Sequence, residues 1–172
     1  MNKKVKRVAG VILLFCGISI LSIFAYMKIS RELYLRKLLR ENIVLEIPRL
    51  DIKVPVLEGT DSKSLEVAAG HFIGTGSVGY GNYCIAGHNS TIYAEIFNDL
   101  DKIELGDKMY LYDKDDNRTR YTYTVTEYKV IEPNEIGILN DYGDDRLTIV
   151  SCTDDGKYRQ VVVGIKNENQ PK

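Results

Sequence analysis

Leu147-Thr148-Ile149-Val150-Ser151-Cys152 is a run of β-forming residues that ends on a cysteine, and Arg159 follows seven positions later. The polar stretch Thr153-Asp154-Asp155-Gly156-Lys157 stops the run, so it reads as a buried strand that meets the surface at its last residue. A thiol in that position is held rigidly yet reaches solvent. Only six residues separate it from Arg159, which a tight hairpin-like connection brings alongside. A second run of the same kind, Ile85-Ala86-Gly87-His88, delivers a histidine behind a glycine.

These residue types suit thiol acyl transfer. A free thiol with a pKa near about 8.5 is mostly protonated at neutral pH, so a nucleophilic Cys152 needs a nearby cation. His88, with an ordinary pKa near about 6.5, can hold a proton beside a thiolate and later give it to a leaving amine. Arg159 is always charged, and its planar fork fits a developing oxyanion. His71, in Gly70-His71-Phe72, is not delivered by a glycine-terminated apolar strand and is read as a packing or loop residue. Cys84 lies mid-strand, four residues before His88, and reads as a buried small hydrophobe too far from Cys152 for a disulfide. Gly74-Thr75-Gly76 lacks the helix of a phosphate loop, and the histidines and cysteines show no zinc spacing.

The chain has 172 residues and a formal net charge of −1, which gives no electrostatic footprint for a nucleic-acid partner. Lys3, Lys4, Lys6 and Arg7 precede an uncharged run from Val8 to Met27. At about 1.5 Å per residue this run crosses a hydrocarbon core of about 30 Å. It exceeds the usual signal-peptide core, and no small-x-small cleavage site follows. The expected organisation is a cytoplasmic basic segment (1–7), a transmembrane anchor (8–27), a juxtamembrane stalk (28–41), an extracellular catalytic domain (42–168) and a tail (169–172). Cys16 falls within the apolar run, leaving Cys84 and Cys152 outside.

Beyond Asn42 the pattern is one of short strands: Ile43–Ile47, Lys53–Leu57, Gly70–Ile73, Asn82–Gly87, Lys108–Asp113, Arg120–Val130, Arg146–Cys152 and Arg159–Lys166. Asp61–Val67 reads as a capped helical turn and Thr91–Leu100 as a second short helix. About eight strands in so short a stretch favour a closed or nearly closed, mostly β barrel, which leaves no exposed edge. The polar residues from Asn167 onward are expected to fray.

Several of these stretches together resemble the sortase family. Thr148-Ile149-Val150-Ser151-Cys152 is similar to its Thr-Leu-x-Thr-Cys signature, and Asn82-Tyr83-Cys84-Ile85-Ala86-Gly87-His88 to its histidine strand. Arg159 occupies the position of the family's arginine. The likeness extends to Glu46-Ile47-Pro48, Leu57-Glu58-Gly59-Thr60 and Phe97-Asn98-Asp99-Leu100-Asp101-Lys102-Ile103 with Gly106-Asp107. The resemblance implies an eight-stranded sortase-type β-barrel with short helices, behind one N-terminal transmembrane helix. It also implies a cysteine transpeptidase of a Gram-positive bacterium, with Cys152 as nucleophile, His88 as general acid and later base, and Arg159 at the oxyanion. The implied partners are secreted proteins bearing a Leu-Pro-x-Thr-Gly-like sorting signal and the amine of a peptidoglycan precursor; pilin sortases use a lysine of another subunit instead.

Ile149 and Ser151 stand where leucine and threonine are commoner. No aspartate-aromatic lid motif occurs between Lys28 and Val44, and the connection from Val130 to Arg146 is short, which leaves a likeness to the class A and class D groups. Ser151 and Thr148 beside the thiol, and Ile136, Ile138 and Leu139 in the preceding connection, are the candidate substrate-binding residues; the last three either receive the leucine and proline of a sorting signal or cover the barrel. No cofactor is expected. Glu132 and Glu135 raise a calcium site similar to that of some class A enzymes, but two carboxylates fall short of the usual six to eight oxygens. A peptide-binding module without turnover, or a hydrolase in which water replaces the amine, uses the same surface.

Overall fold

Leu147, Ile149, Tyr83, Ile85 and Val162 are buried on one side of their strands, while Val150, Val161 and Val163 are buried on the other. A strand that is apolar on both faces must be covered twice, and the computed structural model, which describes residues 3–89, 96–114 and 119–168, shows how. Eight strands close a barrel in the order β1-β2-β3-β4-β7-β8-β6-β5. They are β1 (Ile43–Ile47), β2 (Ile52–Glu58), β3 (Ala69–His71), β4 (Asn82–Ala86), β5 (Lys108–Tyr112), β6 (Arg120–Ile131), β7 (Arg146–Cys152) and β8 (Arg159–Lys166). The expected β-barrel is the fold observed.

The barrel interior is filled by Leu45, Ile47, Tyr83, Ile85, Met109, Leu111, Tyr123, Leu147, Ile149 and Val162, with Phe97 and Leu100 plugging it from a connection. A second apolar cluster covers the outer face of β7 and β8. There Ile131, Ile138, Val150, Val161 and Val163 pack together, flanked by Phe72, Leu139 and Ile165. All neighbouring strands are antiparallel except two pairs: β2 runs parallel to β3, and β4 to β7. The parallel β4–β7 pair makes both strands end on the same rim.

The ends of the strands moved in places. The third strand stops at His71 because Phe72 O accepts bonds from Thr75 N (3.2 Å) and Thr75 Oγ1 (2.8 Å), turning the chain and leaving Ile73 exposed. Asp61 caps a helix of one turn, α2 (Ser62–Leu65), by accepting from Lys63 N and Ser64 N at 3.1 and 3.2 Å. Part of the expected helix Thr91–Leu100 lies outside the described residues; its described end leads into a 3₁₀ turn, Leu100–Lys102. Asn167 is not frayed: its N–H donates to Thr122 O at 3.0 Å, and its Oδ1 accepts from Thr124 Oγ1 at 2.7 Å.

Residues up to Lys37 form a unit of their own, separate from 38 onward. They belong to one long helix, α1 (Lys3–Glu41), along which the large apolar side chains from Val11 to Tyr34 are exposed, whereas Leu38 near its end is buried. By length and composition it is able to cross a membrane, with a mean hydropathy of 2.3 over its most apolar window. Asn42 ends the helix, its N–H and Nδ2 both donating to Leu38 O at 3.1 and 3.0 Å.

Candidate active site

Cys152 closes β7, and the antiparallel ladder pairs it directly with Arg159, the first residue of β8. Side chains on such opposed residues stand about 5 Å apart at Cβ. The hairpin between them is held by its own polar groups. Thr153 N donates to Tyr158 O (3.1 Å), Tyr158 N to Thr153 Oγ1 (3.1 Å) and Gly156 N to Thr153 O (2.8 Å), with Gly156 at a φ of 70° that suits glycine. Asp155 accepts from Thr153 Oγ1 and Lys157 N, and the Thr153 bond above all holds its carboxyl below the usual range.

On the other side of β7 runs β4. Their register pairs Ala86 with Val150, and Gly87 N continues the ladder by donating to Val150 O at 3.2 Å. His88 therefore comes level with Cys152 on the neighbouring strand, about 4.8 Å across the sheet. Alternation sets His88, Cys152 and Arg159 on the outer face, the face of Val150 and Val161. Three adjacent strands thus bring the histidine, the thiol and the arginine to one rim.

The glycine before His88 has a packing cause. A Cβ on Gly87 would lie 2.4 Å from two ring carbons of Phe97, which is fully buried inside the barrel. Phe97 N also donates to His88 O at 3.2 Å. Two further residues, not singled out in the sequence, tie the three strands together. Asn89 Nδ2 and Gln160 Nε2, each directly following His88 or Arg159, both donate to Cys152 O, at 3.0 and 2.9 Å. Asn89 also donates to Asp154 Oδ1 at 2.8 Å. The only signal of Gln160 in the sequence is a polar residue opening an apolar run.

Arg159 turns Nη1 toward its own hairpin, donating to Tyr158 O at 3.1 Å and Gly156 O at 3.5 Å. The strand register sets it beside the thiol. Ser151 and Thr148 are buried and their hydroxyls are committed: Ser151 Oγ donates to Gly87 O at 3.0 Å and Thr148 Oγ1 to Asn82 Oδ1 at 2.7 Å. Asn82 Nδ2 in turn donates to Ile138 O and Asn140 O, both at 2.8 Å, and so pins the turn Ile136–Leu139 onto the outer face. Ile138 is buried there, Leu139 half-buried and Ile136 exposed.

Cys84 is fully buried on the same outer face, and burial pushes its thiol up to about 11. It lies four residues back from the level of Cys152, about 13 Å along the strand, and both cysteines are free. His71 is on β3 and buried, with its ring against Tyr83. Glu132 and Glu135 are exposed after β6, and among the described residues no group of three or more His, Cys, Asp or Glu is placed to hold a metal ion. A cleft of about 350 Å³ adjoins the hairpin, lined by Asp101, Tyr128, Asp154, Asp155, Tyr158 and Gln160, among others. Burial, and then the charges of Asp101 and Asp154, push the Tyr128 phenol up.

The Sortase domain family model matches residues 45–167. Sortase A of Bacillus anthracis is 34% identical over 122 residues, which is 70% of this chain and 57% of that protein. Sortase A of Listeria monocytogenes is 33% identical over 106 residues, 62% of this chain and 46% of that protein. The matches thus span about half the length of these relatives. Among solved structures, Sortase C1 of GBS Pilus Island 1 superposes with a TM-score of 0.70 at 27% identity, covering 77% of this chain and 67% of that one. The Sortase D5 transpeptidase of Clostridium perfringens gives 0.66 at 30% identity, covering 74% and 79%. With the family model running from within β1 through β8, and the thiol, histidine and arginine meeting at one rim, the chain belongs to the sortase family.

Proposed function

We propose that this protein is a membrane-anchored cysteine transpeptidase that cleaves a Leu-Pro-x-Thr-Gly-like sorting signal and transfers the secreted protein to a peptidoglycan-precursor amine. The observation that carries the proposal is the meeting of Cys152 with His88 and Arg159 across three adjacent strands. The Cys152 thiolate attacks the carbonyl after the signal's threonine, forming a C–S bond and an oxyanion that Arg159 neutralises. The C–N bond then breaks as His88 gives its proton to the departing amine. An incoming amine attacks the thioacyl carbon, loses its proton to His88 and releases the thiol. Thr148 and Ser151 act by fixing the strand, and Ile136 and Leu139 offer apolar surface to the signal's leucine and proline. The carboxylates of the adjoining cleft supply the charge that draws an ammonium group.

The apolar helix supports a single-pass anchor with the basic N-terminus in the cytoplasm and the barrel outside, in a Gram-positive bacterium. A pilin-polymerising reading has the likeness to Sortase C1 in its favour. Against it stands the lack of any aspartate between Lys28 and Val44.

Incubating the full chain in detergent with a sorting peptide, with and without a peptidoglycan-type amine, tests the proposal by intact mass. The expected result is a thioacyl adduct on Cys152 and an amine-linked product. Hydrolysed peptide alone, at saturating amine, would move the assignment to a hydrolase, and no cleavage at all would leave a binding module.

A further inference from the structure

The opposite rim of the barrel carries a second cavity, of about 550 Å³, lined by Glu58, His71, Thr75, Tyr83, Asp113 and Tyr121, among others. This is within the size range of small-molecule sites. Tyr83 and His88 are five residues apart along β4 and its extension, so the cavity lies about 16 Å from the Cys152 rim.

One group in it lacks what buried polar groups normally have. Tyr83 is 2% exposed, and its hydroxyl has no hydrogen-bond partner among the described residues. Native proteins seldom leave a buried hydroxyl unpaired, because it has lost water and gained nothing. Burial above all, then the charge of Glu58, and after these Tyr123 and Asp113, push this phenol up.

His71 stacks on Tyr83 with centroids 4.2 Å apart. Its Nδ1 meets the Glu58 carboxylate at 3.0 and 3.1 Å, and its Nε2 meets Gly76 O at 3.1 Å and Thr75 Oγ1 at 3.0 Å. Thr75 spends its own proton on Phe72 O. Both ring nitrogens of His71 are thus engaged within the lining, one of them with Glu58. Glu58 and Asp113 are the carboxylates of the lining, and no lysine or arginine lines the cavity among the described residues.

We propose that this cavity binds a primary ammonium group carried on a short aliphatic stem. Such a group donates to Tyr83 Oη, pairs with Asp113 and lies against the Tyr83 and Tyr121 rings. The neighbouring wall already shows the contact: Lys166 Nζ sits 5.0 Å over the ring of Tyr80, another lining residue, while pairing with Asp145. A metal ion fits less well, because no three His, Cys, Asp or Glu side chains converge among the described residues. A soluble amine and an amine-bearing lipid headgroup offer the same group.

Calorimetry on the full chain in detergent micelles, titrated with ethanolamine, ethylene glycol and calcium chloride, tests the site. Ethanolamine is expected to saturate one site, and glycol none. Tyr83→Phe and Asp113→Asn should each weaken binding at least about ten-fold, while Tyr83→Phe keeps or raises Tm because the unpaired hydroxyl is gone. Lack of saturable ethanolamine binding, equal binding by glycol, indifference to both variants, or calcium displacing ethanolamine would each overturn the proposal. In nanodiscs, NMR signals of His71 and Tyr83 that already shift with phosphatidylethanolamine, and no further with ethanolamine, assign the lipid source; shifts with free ethanolamine alone assign the soluble one. Cys152→Ala should bind ethanolamine normally, so failure here is distinct from failure of the transpeptidase reading.

Discussion

Cys84 and Cys152 sit on the outer face of neighbouring parallel strands, yet their surroundings set them to opposite tasks. Cys84 pairs with Thr148 in the middle of the sheet, under the turn that Asn82 pins down, and is fully buried. Cys152 is the last residue of its strand, where the hairpin turns into solvent, and is half-buried. The Cys84 sulfur meets the carbonyls of Asn82 at 3.6 Å and Ile138 at 3.9 Å, with the Thr75 and Thr148 hydroxyls also acting on it. Cys152 has a histidine strand on one side and an arginine on the other. Position along a strand, not residue type, separates a structural thiol from a candidate nucleophile.

The sharpest way to break this contrast is to remove each thiol in turn. Cys152→Ala is expected to abolish peptide cleavage and adduct formation, whereas Cys84→Ala keeps both, with a stability loss of about 1 kcal/mol. Intact-mass analysis reads both variants, and an adduct that survives Cys152→Ala but vanishes with Cys84→Ala reverses the assignment.

The next effect concerns the neighbours that distinguish Cys152. His88→Ala should cut turnover more severely than Arg159→Lys, since the first removes the proposed proton carrier and the second only the planar fork. Arg159→Lys is expected to cost about 10- to 1,000-fold, with iodoacetamide labelling of Cys152 much less affected. Near-normal cleavage by both variants would leave the thiol without its machinery.

A smaller effect tests how the barrel interior positions the histidine. In Gly87→Ala the new Cβ meets the rigid Phe97 ring, so stability should fall by about 1 to 3 kcal/mol and cleavage should drop with it. Phe97→Leu in the same chain should restore part of each, read by Tm and peptide turnover. No rescue would mean that Gly87 serves backbone freedom rather than packing.

The smallest effect is on the pH dependence of stability. Burial holds the Cys84 thiol protonated to about 11, against an ordinary 9.0. Below 9.0 both folded and unfolded chains keep the proton and Cys84 adds no slope; between 9.0 and 11 the unfolded chain loses it first, so stability falls as pH rises. Cys84→Ala should therefore show a shallower fall across that window in urea melts, and an unchanged slope would argue that the thiol is better solvated than its burial indicates.

Much of the barrel was legible because its strands carry their own signals. β-branched and aromatic runs end at glycine, proline and aspartate turns, and a strand needs only its local pattern to announce itself. Cys152, His88 and Arg159 stood out for the same reason: each lies at the end of an apolar run. Asn89 and Gln160 did not, because their importance lies in a bond to Cys152 O made across 63 and 8 residues of chain. Thr148 and Ser151 are candidate substrate-binding residues by sequence, and the structure turns both hydroxyls to backbone and side-chain partners on β4 and its extension.

The sequence by itself determined the number and type of elements, the apolar helix ahead of them, the candidate reactive side chains and the family likeness. Only the tertiary structure decided which residues meet. The parallel pairing of β4 with β7 is a contact between strands some sixty residues apart, set by how two-sided apolar strands share a closed barrel, and no local pattern encodes it. The same closure left the Tyr83 hydroxyl without a partner among the described residues, at the rim that Glu58 and Asp113 also line, a feature of packing that one-dimensional spacing cannot express.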